Sequence, residues 1–409
     1  MKKAMAAVLV AILSLTIIAA CEKKYKEELV NIENVYIVPN TENFLRDEVP
    51  TKTENGGLTA FLAKNESEGM QFLLRFDRDV KNVKVSVSDI LNESGDKLDF
   101  TLYRQRYIEV NEERFPTETG FYPDALIPMF DGSDGKEAND TCNIDAGKNQ
   151  GYWITVRSAQ TQAAGKYTGK VSVTFDGGER EIPVSVEVWD FALPVKSSMQ
   201  TNFLHHWNNN YYEDVGISSK EMNRMVWEFF LDYRISGNYM FFIEYDGYGA
   251  DLENYVKSMK EFVDEHPEIT HVQLLLHQWD YSGTVDSEAM ANNKNNKYMY
   301  ELLKKYGLTQ IASYYVVDEP ADTEANEKLI KDLAAGISGF APDIKNIVTT
   351  NNSKYDGYIS CWCPLWNMID KSFVAGKQAL GEHVWWYGCA VPAAPYPTYH
   401  LNDNLLSPR

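Results

Sequence analysis

The chain has 409 residues, too many for one ordinary hydrophobic core, so two domains are expected. A hydrophobic content of 44% with 13% aromatic residues excludes a disordered chain. The formal net charge of -20 argues against nucleic acid or an anionic substrate as the main partner and favours a neutral ligand.

The N-terminus opens with Lys2 and Lys3, then an apolar run from Ala4 to Ala20 that ends Ile18-Ala19-Ala20-Cys21 before Glu22, Lys23 and Lys24. A short apolar stretch with small residues at its end reads as a signal peptide rather than a spanning helix. A cysteine directly after those small residues matches the lipobox of bacterial lipoproteins, in which the thiolate takes the lipid. Residues 1–21 are therefore expected to be a lipoprotein signal peptide with Cys21 as the lipidation site, and residues 22–30 a linker. The expected location is the bacterial cell envelope, anchored by lipid. A plain signal peptide with an incidental cysteine is the simpler alternative.

Residues 31–191 read as short strands between turns, at 35–38, 71–76, 83–87, 152–156, 170–175 and 182–188. In Val184-Ser185-Val186-Glu187-Val188 the apolar residues recur every second position, as expected when one face is buried. Gly165 and Gly177-Gly178 punctuate the pattern. Many strands with few helical stretches predict an N-terminal antiparallel β-sandwich.

After Phe191-Ala192-Leu193-Pro194 the period changes. Strand-like runs at 200–205, 239–243, 271–276, 313–317, 346–350, 357–362 and 383–387 alternate with amphipathic helices, the clearest near 220–232, 252–265, 298–306 and 323–335. Strand–helix alternation means parallel strands. Residues 195–409 are thus expected to form a (β/α)8-type barrel that stops after strand seven. No glycine-rich phosphate loop follows any of these strands, which weakens a nucleotide-binding reading. Polar and aromatic residues instead crowd just past the strand ends, where barrels carry their sites.

Cys142, Cys361, Cys363 and Cys389 remain after Cys21. Cys361 and Cys363, two apart in a strand, share a face, but no histidine stands at ligand spacing. They are read as buried free thiols, and no metal or organic cofactor is expected.

The strongest chemical signal is Tyr314-Tyr315-Val316-Val317-Asp318-Glu319-Pro320. Pro320 disfavours the helical region for Glu319, so the chain is expected to stay extended there, with Asp322 or Thr323 capping the next helix. Two carboxylates so close should not ionise independently, which suits one of them to general-acid work beside a charged partner. A strand-end acidic pair that merely caps the following helix is the plainer reading. A retaining glycosidase ordinarily needs a second carboxylate as nucleophile. The last predicted strand, Val384-Trp385-Trp386-Tyr387-Gly388-Cys389, supplies none, and Glu382 lies at its wrong end. That points to substrate assistance, in which the sugar's own 2-acetamido oxygen attacks the anomeric carbon. Asp318 would orient the acetamido N–H, and Glu319 would act as acid and then base.

These pieces together resemble glycoside hydrolase family 123. The resemblance rests on Asn65-Glu66 with Gln71, on Tyr122-Pro123-Asp124-Ala125-Leu126-Ile127-Pro128, and on Gly165-Lys166-Tyr167-Thr168-Gly169. It continues through Val188-Trp189-Asp190-Phe191-Ala192-Leu193-Pro194, Asp318-Glu319-Pro320 and Val384-Trp385-Trp386-Tyr387 to Arg409. It implies a β-sandwich leading into a (β/α) barrel, and β-N-acetylgalactosaminidase activity by substrate-assisted retention, with Asp318 and Glu319 in the stabilising and acid/base roles. Members of the family continue past the segment ending at Arg409 and supply the last strand.

His206, Trp207, Tyr245, Trp279, Asn351, Trp362, Trp386 and Tyr387 are assigned to sugar binding by their positions at strand ends. For each aromatic, packing within the barrel is the alternative use. The expected partners are a glycan with terminal N-acetylhexosamine and the lipid of the anchor. Two other readings stay open: a non-catalytic surface glycan-binding lipoprotein, and a retaining hydrolase for another sugar.

Overall fold

A computed structural model describes residues 32–50, 56–111, 119–129, 141–204, 216–244, 251–277 and 285–388. The chain divides into two compact units between Leu193 and Pro194.

Among the described residues the first unit holds eleven strands: β1 (Val35–Val38), β2 (Leu58–Lys64), β3 (Glu66–Arg75), β4 (Val80–Val87), β5 (Ile90–Leu91), β6 (Lys97–Val110), β7 (Gly120–Pro128), β8 (Thr141–Ile144), β9 (Asn149–Ser158), β10 (Gly165–Phe175) and β11 (Gly178–Ala192). Alternation along β11 buries Ile182, Val184, Val186 and Val188 against Tyr167, Val171 and Val173 of β10. Each fully buried aliphatic side chain of this kind contributes roughly 1.5–3 kcal/mol through removal from water. Gly177, at φ +97, closes the β10–β11 hairpin in a conformation that a Cβ would strain.

The expected antiparallel sandwich needs two corrections. The strands form one continuous mixed sheet, in the order β1-β3-β9-β6-β5-β10-β11-β2 with β4, β7 and β8 branching from it. The long β6 makes this possible, because its first residues pair with β5 and its later ones with β9 and β7. In addition, β2 lies parallel to β11. Sequence alternation fixes which face is buried but not strand direction, so this could not be read in advance.

The second unit holds a parallel sheet of five strands, in sequence order: β12 (Val272–Gln273), β13 (Ala312–Val317), β14 (Lys345–Val348), β15 (Cys361–Trp362) and β16 (His383–Val384). Helices α1 (Ser219–Asp232) and α2 (Leu252–Glu265) precede it. Helices α3 (Ser287–Asn292) and α4 (Lys294–Lys305) connect β12 to β13, α5 (Glu324–Phe340) connects β13 to β14, and α6 (Lys371–Ala379) connects β15 to β16. The helices start where side chains accept the first free N–H groups: Ser218, Asp286, Asn293, Thr323 and Asp370 all do so. Their apolar faces pack on one side of the sheet, joining Trp227, Met259, Phe262, Leu302, Leu333 and Ile337 to Tyr314, Val316, Val348 and Trp362.

Two predicted strands differ here. Residues 239–243 form turns, with Met240 and Phe242 buried as core plugs and the Tyr239 carbonyl accepting from Trp227 Nε1 at 3.1 Å. Of the run at 200–205, Phe203 makes a single parallel bridge to Gly237. An apolar run of five residues satisfies a core as well as a strand does, and periodicity cannot separate the two. Helices α3 and α6, too short to show a clear period, were not expected.

Candidate functional site

The opposite face of the parallel sheet, at the C-terminal ends of its strands, carries the acidic pair. Strand alternation sends Tyr314 and Val316 into the helix-side core and turns Tyr315 to the other face, where it meets Ile347, Cys361, Cys363, Trp385 and Tyr387. Residues three apart in a regular strand face opposite ways, so Tyr315 and Asp318 should not meet. They do because β13 slips by one residue against β14, pairing Tyr315 with Ile347 but Val317 with Val348. Such a bulge re-aims the strand end.

Asp318 and Glu319 are both exposed. The Tyr315 hydroxyl donates to Asp318 Oδ1, and so does Thr349 Oγ1 at 3.2 Å. Thr349 Oγ1 in turn accepts the Glu319 backbone N–H. Glu319 Oε1 accepts from the Tyr387 hydroxyl. Among the described residues no side chain donates to Asp318 Oδ2 or Glu319 Oε2. Each carboxylate is therefore held by one oxygen and presents the other.

Glu319 is not extended, as Pro320 had suggested, but sits at φ +40 in the left-handed region. That conformation costs an L residue on the order of 1–2 kcal/mol. The Thr349 bond to its N–H helps to hold it.

Burial, then the bond to the Asp318 carboxylate, holds the Tyr315 hydroxyl far above the usual tyrosine range. It stays a donor at any working pH. Burial first, then the Asp318 charge, pushes Cys363 to about 12, so it stays a thiol. Cys142, Cys361 and Cys363 are free. Among the described residues no group of three or more His, Cys, Asp or Glu side chains is gathered to hold a metal ion.

The other predicted ligands divide three ways. Tyr387 joins the site through Glu319, fixed by backbone bonds to Pro364 and Trp366. Trp386 is 51% exposed, and Asn351, also exposed, donates through Nδ2 to the Met368 carbonyl at 3.2 Å. Trp362 belongs instead to the core. Its indole is wholly buried, with Nε1 bonded to Glu382 Oε2 at 2.7 Å, Lys377 Nζ 3.8 Å over the ring and Phe373 against its edge. A wholly buried indole offers no face to a sugar. His206, Trp207, Tyr245 and Trp279, like Cys21, lie outside the described residues. Tyr315 and Thr349 were not anticipated. Thr349 follows the β14 residue that pairs with Val317, so strand register is the signal that leads to it.

Residues 41–175 match the family model for the glycoside hydrolase 123 N-terminal domain. The fold matches that of a family 123 glycoside hydrolase from Clostridium perfringens, described for glycolipid glycan hydrolysis, with a TM-score of 0.59, 14% identity and coverage of 90% of this chain and 73% of that one. Matches at much lower scores include a pilin subunit from enterotoxigenic Escherichia coli, with 12% identity over 38% of this chain and 99% of that one and a TM-score of 0.19. An endo-fucoidan hydrolase of glycoside hydrolase family 107 matches with 6% identity over 38% of this chain and 15% of that one, at a TM-score of 0.17. A comparison with curated protein sequences found no match. The match to the Clostridium perfringens hydrolase spans 90% of this chain, in which a β domain precedes a parallel α/β unit. Residues 41–175 match the N-terminal domain of glycoside hydrolase family 123, and the chain shares the fold of a solved member of that family.

Proposed function

We propose that the chain is a retaining exo-glycosidase that removes terminal β-linked N-acetylhexosamine, N-acetylgalactosamine foremost, from glycans by substrate assistance. The observation that carries this reading is the pair of neighbouring carboxylates, each held through one oxygen and open at the other. Asp318 Oδ2 accepts the acetamido N–H of the bound sugar. The acetamido oxygen then attacks the anomeric carbon while the glycosidic bond breaks, and Glu319 gives its proton to the departing oxygen. The carboxylate of Asp318 stabilises the positive charge that develops on the oxazolinium ring. Glu319 next takes a proton from water, whose oxygen attacks the anomeric carbon and reopens the ring. Two inversions leave the configuration unchanged.

Trp386 and Asn351 are the described candidates for sugar contact, joined in this reading by His206, Trp207, Tyr245 and Trp279. The parallel sheet is read as part of a (β/α)8 barrel, whose C-terminal strand ends are the usual place for catalytic side chains. Cys21 is the proposed lipid attachment point in the cell envelope, and radiolabelled palmitate that still enters Cys21→Ser would sink that assignment.

The mechanism is tested by comparing an aryl β-N-acetylgalactosaminide with the aryl β-galactoside that lacks the acetamido group. Substrate assistance requires turnover of the first only, with β-configured product seen early by NMR. Equal turnover of both would mean a nucleophile from the protein and a hydrolase for another sugar. Binding of the sugar without any turnover would favour the glycan-binding alternative.

A further inference from the structure

A groove of about 580 Å³ opens in the first unit. Four cationic side chains line it, Arg46, Arg104, Arg106 and Lys148, against one carboxylate, Asp145. In a chain of net charge -20 such a local excess of positive charge is not a sampling of the general surface.

The cations are not equivalent. Arg46 is paired with Asp145 at 3.0 Å, and Lys148 with Asp47. Arg104 donates to the Thr141 carbonyl at 3.2 Å, and among the described residues no carboxylate pairs with it or with Arg106. Alternation along β6 puts Arg104 and Arg106 on the same side of the strand. The register of β6 against β7 shifts between Arg106 and Tyr107, where Asp124 of β7 is the extra residue of a bulge. Arg104 is half-buried and Arg106 exposed. Two guanidinium forks with no carboxylate partner among the described residues fit a planar carboxylate or a sulfate ester. Asn143 and Gln150 are also in the lining. Gln150 Nε2 donates to the Gln105 and Gly151 carbonyls and Asn143 Oδ1 accepts from the Asn82 N–H, so the Gln150 oxygen and the Asn143 nitrogen are the amide atoms suited to sugar hydroxyls.

We propose that this groove is a saccharide-binding site selective for an anionic sugar, carrying either a carboxylate or a sulfate ester. The choice of a saccharide rests on the glycosidase reading; the anion preference rests on the groove alone. The neutral sugar at the acidic pair and the acidic sugar at the groove are separate demands on the glycan.

The test is titration calorimetry on the whole chain with a chondroitin sulfate disaccharide, sialyllactose and lactose, at low and at high salt, beside Arg104→Ala/Arg106→Ala. The expected result is binding of at least one acidic probe about tenfold or more tighter than lactose. That binding should weaken with salt and be lost in the double variant. Preference for the sulfated probe assigns a sulfate ester, and preference for sialyllactose assigns a carboxylate; either keeps the proposal. Acidic probes that bind no better than lactose, or as tightly to the double variant, overturn it. Should the double variant fail to fold, Arg106→Ala alone, altering an exposed side chain, reads the same contrast. A chain that binds the acidic probe yet hydrolyses no hexosaminide would retain this site and lose the glycosidase reading, and the converse holds equally.

Discussion

The hydroxyl of Tyr315 reaches the same Asp318 oxygen as Thr349, which leaves the other oxygen to a ligand. A hydrogen bond to a charged group is worth about 1.5–3 kcal/mol. Tyr315→Phe should therefore lower kcat by roughly 10–100-fold, with a smaller change in KM, because Asp318 loses orientation rather than charge. Steady-state kinetics with an aryl hexosaminide would check this; an unchanged kcat would mean that Tyr315 merely packs. The backbone of Glu319 makes a second prediction. At φ +40, glycine is free of the Cβ penalty that alanine meets. Both Glu319→Gly and Glu319→Ala remove the carboxylate, so their difference isolates the backbone. The glycine variant should be more stable by about 1 kcal/mol in denaturant titration. Equal stability would contradict the left-handed assignment. The acidic pair itself was legible, since its residues stand next to each other in sequence. Its supports were not: Tyr315 joins Asp318 through a bulge, and Thr349 arrives from another strand. Neither relation has a local sequence signature.

At the scale of elements, the parallel strands were legible where an apolar run was followed by a long amphipathic helix, as at β13 and α5. They were not at 239–243, where Phe242 fills the core beneath Trp227 and Phe262 without pairing to a neighbour. Trp362 shows the same limit. Its place at a strand end suggested a sugar platform, but alternation turns it into the helix-side core while Cys361 and Cys363 face the other way. Just before β12, His271 is wholly buried, bonded through Nε2 to Ser313 Oγ at 2.5 Å and set edge-on to Trp385. Burial first, then the Lys345 charge, lowers its pKa to about 3 from the ordinary 6.5. The folded state thus keeps this imidazole neutral while the unfolded chain binds a proton below pH 6.5. Its contribution to stability is complete above pH 6.5 and is lost as the pH falls toward 3, by up to about 1.4 kcal/mol per pH unit. His277 and His383, also lowered by burial, act in the same direction. Melting temperature should fall between pH 6.5 and 5, before most carboxylates titrate. His271→Asn should flatten that slope, and a variant with the wild-type slope would remove His271 from the explanation.

For the whole molecule, the chain divides between Leu193 and Pro194, and each unit has its own buried cluster. Sheet direction was harder to read than sheet content, because β2 and β11 pair through residues more than a hundred positions apart. The acidic character of the chain fits a neutral sugar at the paired carboxylates, and the cationic groove of the first unit is a local exception to it. The central claim is that Asp318 and Glu319 form a working acid/base site on a hexosaminide. It is tested most directly by release of the aryl group from an aryl β-N-acetylgalactosaminide, measured for the wild-type chain and for Glu319→Gln. The account predicts turnover by the wild type and a loss of at least about a hundredfold in the variant, with the sugar still bound. Equal turnover by both would take the acid role away from Glu319. Absence of turnover in a folded wild-type chain would contradict the glycosidase reading itself.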